Sequence, residues 1–491
     1  MIDLKLRKEL LPHQIDCINK LDKLKVGANF MDMGTGKTLT MLGLIKRKFK
    51  KIDKVIWFCP VSTMENLIRT IDENSNFLDY DFIEFFGIES ISQSDRIYLQ
   101  ILRIVEKYNN IMLIIDESTL VKNYFAKRTE RLTYIAAHCK YKFLMNGTPV
   151  TRSITDLFSQ FYILDHRIIG YASYYSFANN HLIKDDFGKV VRVLDEDYIM
   201  QRITPYTFKI KKDECLDLPR RYFDVYYFSL TTAQMEHYQD IKLALLGSVD
   251  EFNSTTIYKL FTGLQLIASG RYVHNKDFLK ECMTSKDFFR NVEDNPRIKA
   301  LLNIVNQEEE QTIVWCKYTH EIKAVIEVLE KYYGTENVCK FYGEISLNKR
   351  ATELKKFKEG ARFLVGNKSC GGFGLNLQHC NRVIYYNNDF NWGTRQQSLD
   401  RVYRIGQEEK VYVTDICASF KIDEIILENL EKKERLDETF NRKLREYNTV
   451  DIDEWIDERR KKGKGRRNGY NRVKEIAEAT RDTEVHRQSQ N

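Results

Sequence analysis

The sequence predicts an α/β protein with two parallel-sheet cores in tandem. Three observations carry this. Apolar β-branched runs followed by helical patterns recur early in the chain, the same alternation returns after an interval, and a glycine-rich loop joins an apolar run to a helical pattern near the start.

In the first core the strands fall at Gly27 to Met33, Val55 to Cys59 and Ile111 to Ile115, and helical patterns at Leu39 to Phe49 and Met64 to Ile71. In the second, Thr312 to Cys316 precedes a helical pattern from His320 to Lys331, with strands again at Arg362 to Val365, Val383 to Tyr386 and Val411 to Ile416. Between the cores, roughly from Ser229 to Asn295, the text reads as helical, which suggests an insertion or bridge. From Asp423 onward a charged heptad-like stretch indicates a long solvated helix, either a brace or a coiled partner face. The domain boundaries expected are 1–215 for the first lobe, 216–295 for the helical bridge, 296–440 for the second lobe, and 441–491 for a helical brace with a basic tail. No repeat of 20 to 50 residues is apparent.

Composition bounds the class. A chain of 491 residues, 43% hydrophobic, with 23 Gly and only 6 Pro, has the material for two to four packed domains and is neither collagenous nor disordered. No apolar run approaches the ~18 to 20 residues of a bilayer span, and the start lacks the apolar stretch of a signal peptide, so a soluble, intracellular, non-secreted protein with no membrane partner is expected. The ten cysteines are scattered without a CxxC pair, which argues against a zinc site or a disulfide framework. The net charge of +7 is misleading. Nine Lys and Arg without an acid lie between Arg459 and Lys474, so the rest of the chain is close to neutral and bulk charge identifies no partner.

Motifs carry the chemistry. Met33-Gly34-Thr35-Gly36-Lys37-Thr38 follows an apolar segment and opens a helical pattern, the context that a phosphate-binding loop requires. Glycines let consecutive amides converge on phosphate oxygens at a helix N-terminus; Lys37 neutralises β and γ charge, and Thr38 reaches a magnesium ion. Gly34, Thr35, Gly36, Lys37 and Thr38 are therefore the candidate nucleotide-phosphate-binding residues. Ile111 to Ile115 is an apolar strand ending in Asp116 and Glu117. A buried parallel strand delivers such acids to the edge where α/β sheets bind ligands: Asp116 would hold magnesium through its shell, and Glu117 would orient and deprotonate the attacking water.

A phosphate cradle with an acidic pair also suits a small-molecule kinase or a signalling GTPase. Arg401 and Arg404, three residues apart and placed here on one face of a helix, lie in the second core and could neutralise the γ-phosphoryl transition state. Standing alone, that segment would read as surface salt-bridge arginines.

The order of segments resembles the Swi/Snf-type ATPases of helicase superfamily two, a group that includes compact phage and bacterial members, over roughly residues 8 to 415. Leu11-Pro12-His13-Gln14 resembles the adenine-reading element, with Gln14 as reader. Phe58 to Leu67 resembles motif Ia, Asp116 to Thr119 with Lys122-Asn123 motif two, and Asn146-Gly147-Thr148-Pro149 motif three. Ile313 to Cys316 resembles motif four, Ser369 to Leu377 motif five, and Arg401 to Gln407 motif six, while Phe208 to Pro219 resembles the end of the first lobe. The resemblance implies two tandem RecA-like P-loop lobes and an ATP- and Mg2+-dependent motor. Its partner would be nucleic acid, double-stranded DNA held by its backbone, and the motor a monomer. Catalysis would fall to Glu117, Asp116, Arg401 and Arg404. A strand-separating DNA or RNA helicase and an ATP-gated nucleic-acid clamp are the alternatives. Thr119 replaces the family's usual His, and Phe390-Asn391-Trp392 departs from its Trp-Asn-Pro, which makes core packing the expected role of those aromatics and a base contact the other reading.

Overall fold

The computed structural model describes residues 3–147, 155–184, 190–247, 254–274, 284–368 and 375–432. Its strands, in chain order, are β1 Val26–Asn29, β2 Lys54–Cys59, β3 Ile83–Gly87, β4 Ile111–Asp116, β5 Tyr141–Met145, β6 Leu182–Lys184, β7 Val190–Val193, β8 Thr207–Phe208, β9 Arg221–Phe228, β10 Arg271–Val273, β11 Ser285–Asp287, β12 Thr312–Cys316, β13 Val338–Phe341, β14 Phe363–Asn367, β15 Arg382–Tyr385 and β16 Val411–Ala418. They form two six-stranded sheets, ordered β3-β2-β4-β5-β1-β8 and β13-β14-β12-β15-β16-β9, and two small hairpins, β6–β7 and β10–β11. Among the described residues, every strand pairing within the two large sheets is parallel.

The continuous apolar text of the strands has a direct cause. In β2, Ile56 and Phe58 enter one core cluster while Val55, Trp57 and Cys59 enter another. In β4, Ile111, Leu113 and Ile115 join the first cluster, and Met112 and Ile114 the second. Successive side chains point to opposite faces, so a strand covered on both faces must be apolar at every position. The chain divides into two compact units, one over 1–218 with short later segments at Gly372–Asn376 and Tyr403–Gly406, the other over most of 219–491. One large sheet lies in each.

Two sequence expectations need correction here. The helix Lys421–Lys432 is packed rather than solvated: Ile422, Ile425, Ile426 and Leu430 enter the core of the second unit. Their i, i+3, i+4, i+8 spacing is that of an amphipathic stripe, which the dense charges between them obscure. The remainder of the expected brace and the basic tail lie outside the described residues. The stretch between the cores does hold helices, Thr232–Gly247 and Ser254–Ala268, but it also carries the β10–β11 hairpin. The described cysteines are buried except for half-buried Cys215. No described helix is long and apolar enough to cross a membrane.

Candidate nucleotide site

Register brings the two phosphate motifs to one sheet edge. β5 lies between β1 and β4; Met145 is level with Asn29 on one side and with Asp116 on the other. The loop after β1 and the acids at the end of β4 therefore leave the sheet at the same height. Gly147, two residues past β5, lets these segments close up, because a Cβ there would meet Met33 Cγ at 2.5 Å and come within 3.4 Å of Lys37 Nζ.

The loop itself is held by three neighbours. Phe30 N donates to Phe208 O (2.8 Å) and Asp32 N to Ile210 O (3.1 Å), so the segment after β8 runs alongside it. Lys212 N donates to Asp32 Oδ2 at 3.0 Å. From helix α1 (Pro12–Asp22), His13 Nε2 is 2.9 Å from Thr35 O, and Gln14 Nε2 donates to Thr35 O (3.1 Å) and Gly36 O (3.4 Å). Gln14 Oε1 accepts from Leu11 N (2.9 Å), so its amide joins the start of α1 to the loop. His13 is a site residue that sequence reasoning passed over, although it stands beside Gln14 in the same short motif.

Gly34 and Gly36 adopt left-handed backbone, φ 80° and 85°. Gly36 caps helix α2 (Lys37–Lys48) without a side-chain hydrogen bond. The first-turn amides of such a helix have no intrahelical acceptor, and with the helix dipole behind them they suit an anion. Lys37 begins the helix, and its Nζ donates to Met31 O and Asp32 O, each at 3.1 Å, so the ammonium lies over the loop. Thr38 follows it in that first turn.

Asp116 ends β4, and Glu117 turns the chain with φ 51°, ψ 54°, a conformation that non-glycine residues rarely adopt. Glu117 N donates to Asp116 Oδ1 at 3.0 Å. Beyond the acids the chain is tied down residue by residue: Ser118 Oγ donates to Gln160 Oε1 (2.6 Å), Asn146 Nδ2 to Thr119 Oγ1 (3.2 Å), and Ser159 Oγ to Lys122 O (3.0 Å). Thr119 thus connects the second motif with the third through its hydroxyl. Thr148 and Pro149 of that third motif lie outside the described residues, as do 369–374 of the fifth.

Arg401 and Arg404 are not on a helix, contrary to expectation. The helix Trp392–Leu399 ends before them. In a continued helix Ile405 N would bond Arg401 O, but Arg401 O accepts instead from Leu377 N (3.0 Å), and Ile405 N donates to Gly34 O (3.4 Å). Tertiary backbone bonds outcompete the local ones. Arg404 belongs to the first unit, where its Nη1 donates to Asn376 Oδ1 (2.6 Å), and Lys212 Nζ donates to Tyr403 O (2.7 Å). Arg401 belongs to the second unit. Phe390 and Trp392 pack against the second unit's core, Phe390 with Lys317 Nζ 3.6 Å from its ring centre.

Two parallel sheets of six strands, one with the glycine loop and an acid pair at a common edge, have the layout of two RecA-like lobes. Residues 80–288 match the SNF2-related domain, and residues 296–406 match the helicase conserved C-terminal domain. The first match begins downstream of the glycine loop, whose assignment rests on its geometry. The chain is 26% identical over 343 residues to the putative ATP-dependent helicase/translocase YwqA of Bacillus subtilis, an alignment covering 67% of this chain and 35% of that protein. It is 24% identical over 474 residues to the ISWI chromatin-remodeling complex ATPase ISW1 of Saccharomyces cerevisiae, covering 88% and 40%. The chain thus spans about a third to two fifths of the length of these curated relatives. Among solved structures, the Sulfolobus solfataricus SWI2/SNF2 ATPase core in complex with dsDNA is 22% identical, with a TM-score of 0.38 and coverage of 87% of this chain and 92% of that one. The chain thus joins an SNF2-related domain to a helicase conserved C-terminal domain, the pairing on which its likeness to these helicase-like proteins rests.

Proposed function

We propose that the protein is a translocase that moves along double-stranded DNA with ATP as fuel and remodels DNA or protein–DNA complexes as it travels. One observation carries the reading above the others. A phosphate loop and an acid pair share an edge of one parallel sheet, in a chain that builds a second sheet of the same kind. A small-molecule kinase or a signalling GTPase does not require that second sheet.

The roles follow from chemistry. The first-turn amides of α2 and the Lys37 ammonium receive the β- and γ-phosphates, and Gln14 braces the loop and reads the adenine. Thr38 and Asp116 are oxygen donors, the ligand type that suits magnesium, which when bound neutralises phosphate charge. Glu117 accepts the proton of the attacking water. Arg401 and Arg404 stabilise charge on the transferring phosphoryl group. Nucleic acid favours the arrangement in which those arginines reach the phosphate, so hydrolysis becomes coupled to movement. Contacts to the DNA backbone make binding tolerant of sequence and steeply dependent on salt.

The test compares ATP turnover on duplex DNA, single strands and RNA, together with displacement of a third strand from a triplex. Stimulation by duplex that grows with its length, with triplex displacement, is the expected outcome. Unwinding of a duplex by the same enzyme would favour a strand-separating helicase. Slow turnover indifferent to length would favour a clamp, and turnover unaffected by any nucleic acid would end the proposal.

A further inference from the structure

Phe390 and Trp392 pack against the second unit's core, as expected, while two rings elsewhere stand in solvent. Phe125 is 60% exposed and Tyr175 67% exposed, their ring centres 5.9 Å apart at an angle of 60°. Both lie in the first unit. Large exposed rings in adjacent positions lose hydrophobic stabilisation unless something covers them.

These rings are rigidly mounted. Phe125 meets Tyr174 edge to face at 5.2 Å, Tyr174 stacks on Tyr124 at 5.5 Å and 17°, and Phe158 closes against both, at 5.7 Å from Tyr124 and 5.4 Å from Tyr174. The backbone under Phe125 is fixed as well, since Asn123 Oδ1 accepts from Phe125 N (3.1 Å) and Asn123 O from Ala126 N (3.1 Å). A ring held this way gives up little entropy when a planar partner stacks on it.

The surroundings select the partner. From Lys122 to Arg131 the chain carries Lys122, Lys127, Arg128 and Arg131 against Glu130, with Asp156 pairing Lys122 and Asp95 pairing Lys127 and Arg131 from other elements, and the helix Tyr174–His181 that carries Tyr175 has no acid. Basic and amide side chains around rigid rings form the combination that accepts unpaired nucleobases: a flat apolar face for the base, cations for its phosphates. A purely apolar protein partner would not call for the cations. A fully paired duplex buries its base faces and offers no plane to stack.

We infer that Phe125 and Tyr175 form a stacking platform for an unpaired base, one ring taking the base face and the other its edge. Resting on the translocase reading, this names the substrate more closely: DNA with an unpaired stretch beside its duplex. Phe125 follows Glu117 by 8 residues in the chain. Lys122, between them, is held by Ser159 through its carbonyl and by Asp156 through its ammonium at 3.7 Å.

The test uses the full chain and fluorescence anisotropy with three probes: a blunt duplex, oligo-dT, and an abasic strand of equal length. The Phe125→Ala/Tyr175→Ala variant should lose about tenfold or more in affinity for oligo-dT, with unchanged blunt-duplex affinity and DNA-free ATP turnover. Phe125→Tyr/Tyr175→Phe should retain oligo-dT binding. Equal loss on duplex and oligo-dT, or no loss on either, would overturn the inference. Should the alanine variant fold poorly, the wild-type protein decides alone: it should prefer oligo-dT over the abasic strand, and equal affinity for the two would sink the platform. ATP turnover that ignores duplex would remove the translocase reading, while the oligo-dT to abasic ratio still judges the rings.

Discussion

Gly36→Ala is the substitution whose cost the structure lets one work out. Gly36 sits at φ 85°, ψ 33°, where an L side chain costs roughly 1–2 kcal/mol. An added Cβ would also collide with Gln14 Nε2, the end of a side chain only 1% exposed. To make room Gln14 must release Thr35 O and Gly36 O, at about 0.5–1.5 kcal/mol for each bond. Together these come to about 2–5 kcal/mol against the loop shape that receives phosphate, or roughly 30-fold to several thousand-fold in nucleotide Kd. The assay is titration with a fluorescent ATP analogue, run as a cycle with Gln14→Ala. With the Gln14 side chain gone the collision disappears, so the double variant should bind better than the sum of the single losses allows, by about 0.5–3 kcal/mol. Losses that add to within about 0.5 kcal/mol would show that Gln14 does not press on the loop at Gly36.

Three further outcomes are expected. Glu117→Gln keeps the side chain's size but removes the base, so turnover should fall about 10² to 10⁴-fold while ATP remains bound in a filter assay; normal turnover would remove Glu117 from that role. In the second unit, Arg395 forks onto buried Asp415 at 2.6 and 2.7 Å. Arg395→Met leaves the carboxylate uncompensated and should cost about 3–5 kcal/mol in urea unfolding, largely recovered by Arg395→Met/Asp415→Leu; a loss below about 1 kcal/mol would contradict the burial argument. Burial drives the Lys317 ammonium down to about 7 from its ordinary 10.5, with Asp389 pulling the other way. Between those values the unfolded chain binds more proton, so this group makes stability rise with pH through that window, and its full penalty stands below it. Lys317→Met should therefore gain less Tm than the parent between pH 7 and pH 9, and equal gains would refute the assignment.

Much of this was legible in the text of the chain, for identifiable reasons. The strand Thr312 to Cys316 agrees at both ends, and the edge carrying Asp116 was correctly placed, because strands buried on two faces advertise themselves as unbroken apolar runs. β3, β5 and β13 did not, since each includes a charge: Glu84, Lys142 and Lys340. For two of these the partner comes from another element, Lys54 for Glu84 (2.9 Å) and Glu330 for Lys340 (2.8 Å). A charge whose partner is distant in sequence looks like a loop residue. β9, Arg221–Phe228, has aromatic and β-branched text but pairs with β16, some 190 residues onward, a partnership no local window contains. The arginine segment failed for the opposite reason. Its local signal is helical, with Leu399, Val402 and Tyr403 buried at helical spacing, yet Leu377 and Gly34 claim the backbone groups that a helix would use.

The same bonds that defeat local reading also give the acid pair its mechanical context. Glu117 stands in a left-handed turn that a glutamate would leave if the chain were free, at a cost of order 1–3 kcal/mol. The residues after it are anchored in sequence, Ser118 to Gln160, Thr119 to Asn146, and Lys122 to Ser159 and Asp156. Gln160, Ser159 and Asp156 all belong to the helix Asp156–Ile169, in its first stretch before the backbone kinks at Asp165. That helix also carries Phe158, the ring on which Tyr124 and Tyr174 rest. A base seated on Phe125 and Tyr175 and a phosphate facing Glu117 therefore share one rigid support, and any shift of that helix favoured by one is felt by the other. Coupling of binding is reciprocal. If the two sites are linked through this helix, ATP should tighten oligo-dT binding by the same factor that oligo-dT tightens ATP, and Ser118→Ala, which cuts the bond to Gln160, should reduce both factors together while leaving each ligand's separate affinity nearly intact.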